Sequence, residues 1–167
     1  MDNSIFSPLE QELLDAARMV LSEGVTRLMG RQSLLPARHG RQVRDECRAA
    51  RDALTVHLCA TYGHLRHEVA VVALIDAQGR LIAIEEFPRG KATHCEVNGR
   101  VLAEYIIKHG AALVLLAHNH PSGDNTPSQP DVALTRHLVE WLKPLECVLL
   151  DHLVLNSAEA SAIIGEW

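Results

Sequence analysis

The apolar run Ala111 to Ala117 leads directly into His118-Asn119-His120-Pro121-Ser122-Gly123-Asp124-Asn125-Thr126-Pro127-Ser128-Gln129-Pro130-Asp131. Residues two apart on an extended chain point to the same side, so His118 and His120 share one face of a strand end. The turn-rich stretch that follows returns the chain to Asp131. Two histidines, a carboxylate and an open fourth position are what a catalytic zinc needs, because water must occupy the open position. A His-x-His pair at a strand end also occurs without any metal, so the spacing points to a site and does not prove one.

The rest of the chain reads in two regimes. Residues 1–65 carry a helical pattern. Ser7-Pro8-Leu9-Glu10 opens a first helix as a capping box with Pro in the first turn, and Leu9, Leu13, Ala17, Val20, Leu21 and Leu28 fall along one face. Gly30 to Gly40 reads as a linker. A second helix is expected from about Arg41 to Tyr62, with Val43, Cys47, Ala50, Leu54 and Leu58 on its apolar side. From residue 66 the pattern alternates. Val69 to Ile75 and Leu81 to Glu85 are strands of a hairpin turned around Ala77-Gln78-Gly79. Thr93 to Val97 is a third strand, Arg100 to His109 a helix, Ala112 to Ala117 a strand, Pro130 to Leu142 a helix and Glu146 to Leu155 a strand. The tail Ser157 to Ile164 is expected to be a short helix or irregular. The outcome is an α/β fold, a mixed sheet flanked by helices, with an N-terminal helical segment over 1–65 and a second unit over 66–167.

A chain of 167 residues can bury a sizeable core. Although nearly half its residues are apolar, no run has the length that spans a bilayer. Met1-Asp2-Asn3-Ser4 lacks the basic start and apolar centre of a secretory signal. Cys47, Cys59, Cys95 and Cys147 are scattered, which indicates neither a zinc knuckle nor a disulfide framework. A soluble, cytoplasmic protein is expected.

The pattern His-x-His, seven residues, Ser, two residues, Asp is met by His118, His120, Ser128 and Asp131. It resembles the zinc signature of the JAB/MPN (JAMM) metallopeptidases. The wider string His118-Asn119-His120-Pro121-Ser122-Gly123, followed by Leu150-Asp151-His152, resembles the RadC branch of that superfamily, over roughly residues 66 to 155. The resemblance implies a cytidine-deaminase-like JAB/MPN fold and hydrolysis of an amide bond by a zinc-activated water. It implies zinc ligands at His118, His120 and Asp131. It further implies a general acid/base glutamate entering the first core strand, here Glu68, and an oxyanion-binding serine, here Ser128. Without the resemblance, Glu68 would read as a charge flanking a buried strand. Ser128-x-x-Asp131 also reads as a capping box with Asp in place of Glu or Gln. Binding and capping are compatible if the metal takes one carboxylate oxygen. Asp151 and His152 interrupt a strand-like run, so they either orient a metal ligand or form a buried pair that holds the fold.

The sequence departs from the family in two places. Nothing in residues 1–65 resembles the glycine hairpins of the helix-hairpin-helix module that RadC-like proteins often carry, which weakens any analogy with DNA binding. Arg100 stands where the family has a glutamate, so capping or substrate contacts there are expected to differ. Arg41, Arg44, Arg48 and Arg51 form a stripe on the second helix that either meets phosphates or is a solvated face. A net charge of −5 favours the solvated face, and aromatic stacking platforms are few. Three functions stand in order: a zinc peptidase or isopeptidase acting on a peptide or protein, a DNA-associated RadC-type repair or recombination accessory protein, and a non-catalytic metal-bearing interaction module. The letters His-Asn-His do not make an HNH nuclease, whose motif is spread across a ββα hairpin.

Overall fold

The computed structural model describes residues 41–88 and 97–165, with side chains of its first helix from residue 50 onward. The expected helix from Ser7, the linker Gly30 to Gly40 and all but the last residue of the strand Thr93 to Val97 lie outside the described residues. So do the side chains of Arg41, Arg44 and Arg48.

Among the described residues, three helices and five strands follow in the order α1 (Arg41–Tyr62), β1 (Ala70–Ile75), β2 (Leu81–Glu86), α2 (Gly99–His109), β3 (Leu113–Asn119), α3 (Gln129–Leu142), β4 (Val148–Leu155) and β5 (Ala160–Ala162), with a 3-10 turn at Lys143–Leu145. They build one five-stranded sheet in the order β2-β1-β3-β4-β5. Only β3 and β4 run parallel, joined through α3; the other neighbours are antiparallel. The expected mixed sheet flanked by helices is therefore the observed architecture.

Central strands β1 and β3 are apolar on both faces because both faces are covered. On one side Val71, Ala73, Ile75, Leu115 and Ala117 pack with Ala50, Leu54, Leu58, Cys59 and Tyr62 of α1. On the other, Ala70, Val72, Leu74, Val114 and Leu116 pack with Leu102 and Ile106 of α2 and Leu138 and Leu142 of α3. Even-numbered residues of β1 and β3 thus face α2 and α3, and His118 continues that set.

Asn98 caps α2, its side chain accepting from the backbone of Arg100 and Val101, and Gly110 closes the helix in the left-handed conformation. Arg100 turns outward to Glu104 at 3.2 Å. The cap is therefore supplied by Asn98, without the glutamate the resemblance led one to expect. The tail is a correction. It is neither helix nor irregular throughout, because Ala160–Ala162 pairs with Leu153, Val154 and Leu155 as an edge strand. Among the described residues no helix is long and apolar enough to cross a membrane.

Candidate metal centre

β3 ends where the site begins. His118 is buried within the strand, Asn119 is its last residue and His120 stands just beyond, half-buried. A turn then reverses the chain: Gly123 adopts φ 79° and donates to the His120 carbonyl at 2.9 Å. This fold-back brings the Asp124 carbonyl to 2.8 Å from His120 Nδ1. A carbonyl only accepts, so Nδ1 carries the proton and Nε2 is left as the candidate ligand atom.

The return path ends at the N-terminus of α3 as the sequence suggested. Ser128 accepts from the Asp131 backbone N–H at 3.3 Å, and Asp131 Oδ2 accepts from the Ser128 N–H at 2.7 Å, a reciprocal capping box. The Ser128 hydroxyl donates to the same Oδ2 at 2.5 Å. The two carboxylate oxygens therefore divide their work. Oδ2 holds the cap and also borders the site, while Oδ1 engages no cap donor and lies 3.2 Å from His118 Nε2.

His118 Nε2 and His120 Nε2 are 3.1 Å apart, and His120 Nε2 is 3.4 Å from Asp131 Oδ2. The candidate ligand atoms of His118, His120 and Asp131 all lie within 4.8 Å of one another, and among the described residues this is the group that can hold a metal ion. Burial pushes the His118 imidazole down to about 4, against the pull of Asp131, so it is neutral at pH 7. Burial also acts to raise Asp131, but the hydrogen bonds from Ser128 outweigh it and keep the carboxyl below its usual range. Two imidazole nitrogens and one carboxylate converging at a strand end suit a divalent cation of the zinc kind.

Behind this group lies a buried polar chain. His118 Nδ1 is 2.8 Å from His152 Nε2 of β4. His152 Nδ1 is 2.8 Å from the hydroxyl of Thr135 on α3, which donates to the Asp131 carbonyl at 2.7 Å. Burial, reinforced by the neighbouring His118, pushes His152 down to about 3. Asp151, one residue away, does something else: it accepts from the backbone of His152, Ile163, Ile164 and Gly165 at 2.7–3.1 Å and pins the tail. Of the adjacent pair, His152 touches a candidate ligand and Asp151 holds the fold.

Glu68 enters β1, as expected. Ala70 pairs with His118, and the Asn119 N–H donates to the Val69 carbonyl at 3.3 Å, so Glu68 lies two residues ahead of the last register pair, on the segment that leads into β1. The Asn119 side chain, read in the sequence only as a spacer, fixes this segment. Its Oδ1 accepts from Val69 N–H at 2.8 Å, and its Nδ2 donates to the carbonyls of Leu65 and His67 at 3.0 Å. Sequence reasoning also missed Thr135. The available signal was its position four residues after Asp131, one turn along the same helix face.

Residues 48–164 match a family model described as the RadC-like JAB domain. Similar proteins include a UPF0758 protein of Ralstonia pickettii, 37% identical over 144 residues, which are 86% of this chain and 57% of that protein. A UPF0758 protein of Polaromonas sp. is 43% identical over 112 residues, 67% of this chain and 48% of the relative. One of Thiobacillus denitrificans is 44% identical over 94 residues, 56% and 42% respectively. The chain spans about half the length of these relatives.

Proposed function

Since the chain belongs to the family of RadC-like JAB domains, we propose that it is a zinc-dependent hydrolase of amide bonds, a peptidase or isopeptidase, with His118, His120 and Asp131 as the metal ligands. The observation that carries this reading is the convergence of two imidazole nitrogens and a carboxylate at the end of β3. When bound, zinc supplies a Lewis acid that acidifies water and polarises a carbonyl. Glu68, on the segment that the Asn119 clamp fixes beside β3, takes a proton from the attacking water and delivers it to the leaving amine. Ser128 turns its hydroxyl from Asp131 toward the oxygen that gains charge, while its backbone N–H keeps the cap in place. The substrate is a peptide or an isopeptide-linked protein.

Elemental analysis of the purified protein tests the metal. The expected result is about one zinc per chain, lost in His118→Ala, His120→Ala and Asp131→Ala. Glu68→Gln should keep the zinc and lose turnover on peptide and isopeptide-linked substrates. A wild-type protein that takes up no zinc even after reconstitution would refute the proposal.

A further inference from the structure

The hydrogen bonds behind His118 form a loop that starts and ends on Asp131, and proton counting gives the loop a direction. The Asp131 carbonyl can only accept, so the single hydroxyl proton of Thr135 lies on the 2.7 Å line between them. Thr135 Oγ1 is then an acceptor for His152 Nδ1, 2.8 Å away, which must carry the proton. A neutral His152 protonated at Nδ1 has a bare Nε2, and that nitrogen accepts from His118 Nδ1 at 2.8 Å. His118 is left with a bare Nε2, 3.1 Å from His120 Nε2 and 3.2 Å from Asp131 Oδ1.

With a cation held between the two Nε2 atoms and Asp131 Oδ1, their lone pairs are all engaged, and the opposite direction is then worse by a definite contact. If His118 carried its proton on Nε2, His152 would need its own on Nε2, and Thr135 would have to donate to His152 Nδ1. Two oxygens 2.7 Å apart, Thr135 Oγ1 and the Asp131 carbonyl, would then face each other with no proton between them. Thr135 and His152 are both buried, so water does not relieve that repulsion.

We propose that Thr135 and His152 are positioning residues that hold His118 in its Nδ1–H tautomer and so present its Nε2 lone pair to the cation. The inference rests on the metal reading above and adds the device that orients one ligand toward the cation. The helix that supplies the carboxylate ligand also supplies, through its Asp131 carbonyl, the acceptor that orients the imidazole ligand on another element.

Two readouts test it on the full chain. In zinc-loaded wild type at neutral pH, the ring nitrogen shifts of His118 and His152 should report protonation at Nδ1 in both. Thr135→Val keeps the side-chain shape and removes the hydroxyl. His152 should then turn its proton toward His118, moving the His118 proton to Nε2, and zinc affinity from chelator competition should fall 10–100-fold, the usual effect of losing a partner behind a ligand. Thr135→Ser should restore both tautomers and affinity. A wild-type His118 protonated at Nε2 overturns the inference, as does a folded Thr135→Val variant with wild-type tautomers and affinity. If Thr135→Val does not fold, the wild-type nitrogen shifts decide alone. A wild type that takes up no zinc sinks the metal reading and this inference with it, whereas zinc uptake with His152 protonated at Nε2 sinks this inference alone.

Discussion

Substituting alanine at Gly63 sets two effects of opposite sign against each other. Gly63 follows α1, donates to the Cys59 carbonyl at 2.9 Å and is not among the glycines at positive φ. On backbone grounds alone, alanine should stabilise by about 0.4–1 kcal/mol by narrowing the unfolded ensemble. Contact geometry says the reverse. A Cβ there would meet the Asn156 carbonyl oxygen at 2.0 Å, its carbon at 2.3 Å and the Cys59 oxygen at 2.7 Å. All three are backbone atoms, so no side chain can swing aside. Asn156 is itself tied into the turn before β5, donating to the Glu159 carbonyl and accepting from Ala158 and Glu159. Restoring ordinary contact requires moving α1 from the end of β4 by more than 1 Å, against the buried packing of Leu58, Cys59 and Tyr62 with Leu153 and Leu155. Overpacking costs about 1–3 kcal/mol where side chains can adapt, and a rigid contact lies at the upper end. The net expectation is a loss of about 2–3 kcal/mol, read as a lower urea midpoint at unchanged slope. A Gly63→Ala protein as stable as wild type, or more so, would refute the close approach of α1 to β4.

Asp151→Ala removes the shared acceptor of four backbone N–H groups, leaves the buried His152 N–H without its carboxylate and should cost about 3 kcal/mol. Hydrogen exchange at residues 163–165 should accelerate, and unchanged protection there would contradict the clamp. Asn119→Ala frees the segment that carries Glu68 by removing partners of Leu65, His67 and Val69, so turnover should fall at least tenfold while zinc content holds; full activity would show that the clamp does not position Glu68. With chelator present, stability should fall with pH. Folded His118 and His152 titrate at about 4 and about 3 against an ordinary 6.5, so between these values the unfolded chain binds more protons than the native one. Stability present above pH 6.5 should decline by about 4 kcal/mol at pH 5, and a flat profile from pH 7.5 to 5 would oppose the buried neutral pair.

What the sequence displayed well was whatever depends on short spacing. His118 and His120 share a face because a strand repeats every two residues, and Ser128 reaches Asp131 because a capping box spans three. The apolar runs through β1 and β3 announced strands covered on both sides. Less was visible where the partner is remote in sequence. Ala160–Ala162 is too short to show a period of its own and becomes a strand only through β4 and the Asp151 clamp. Asn119 sat in plain view between two histidines, but its role depends on carbonyls and an N–H fifty or more positions earlier.

His152 shows most sharply why a strand assignment was not enough. Glu146 to Leu155 reads as one strand, and strict alternation would place His152 on the same face as Leu150. Leu150 packs on the α1 side, so an unbroken strand would send His152 away from the metal ligands. The sheet breaks the alternation. Val114 pairs with Leu149 but Leu115 pairs with Asp151, so Leu150 is an extra residue and the phase reverses across it. Leu149 faces α2 and α3 before the bulge, whereas Leu153 and Leu155 face α1 after it. The even positions that follow are thereby turned toward α3, and His152 arrives between Thr135 and His118. The bulge also leaves the Asp151 carboxylate free to accept the N–H of the next residue and to hold the tail. One inserted residue thus separates the two neighbours, sending the imidazole to the candidate metal centre and the carboxylate to the C-terminal turn.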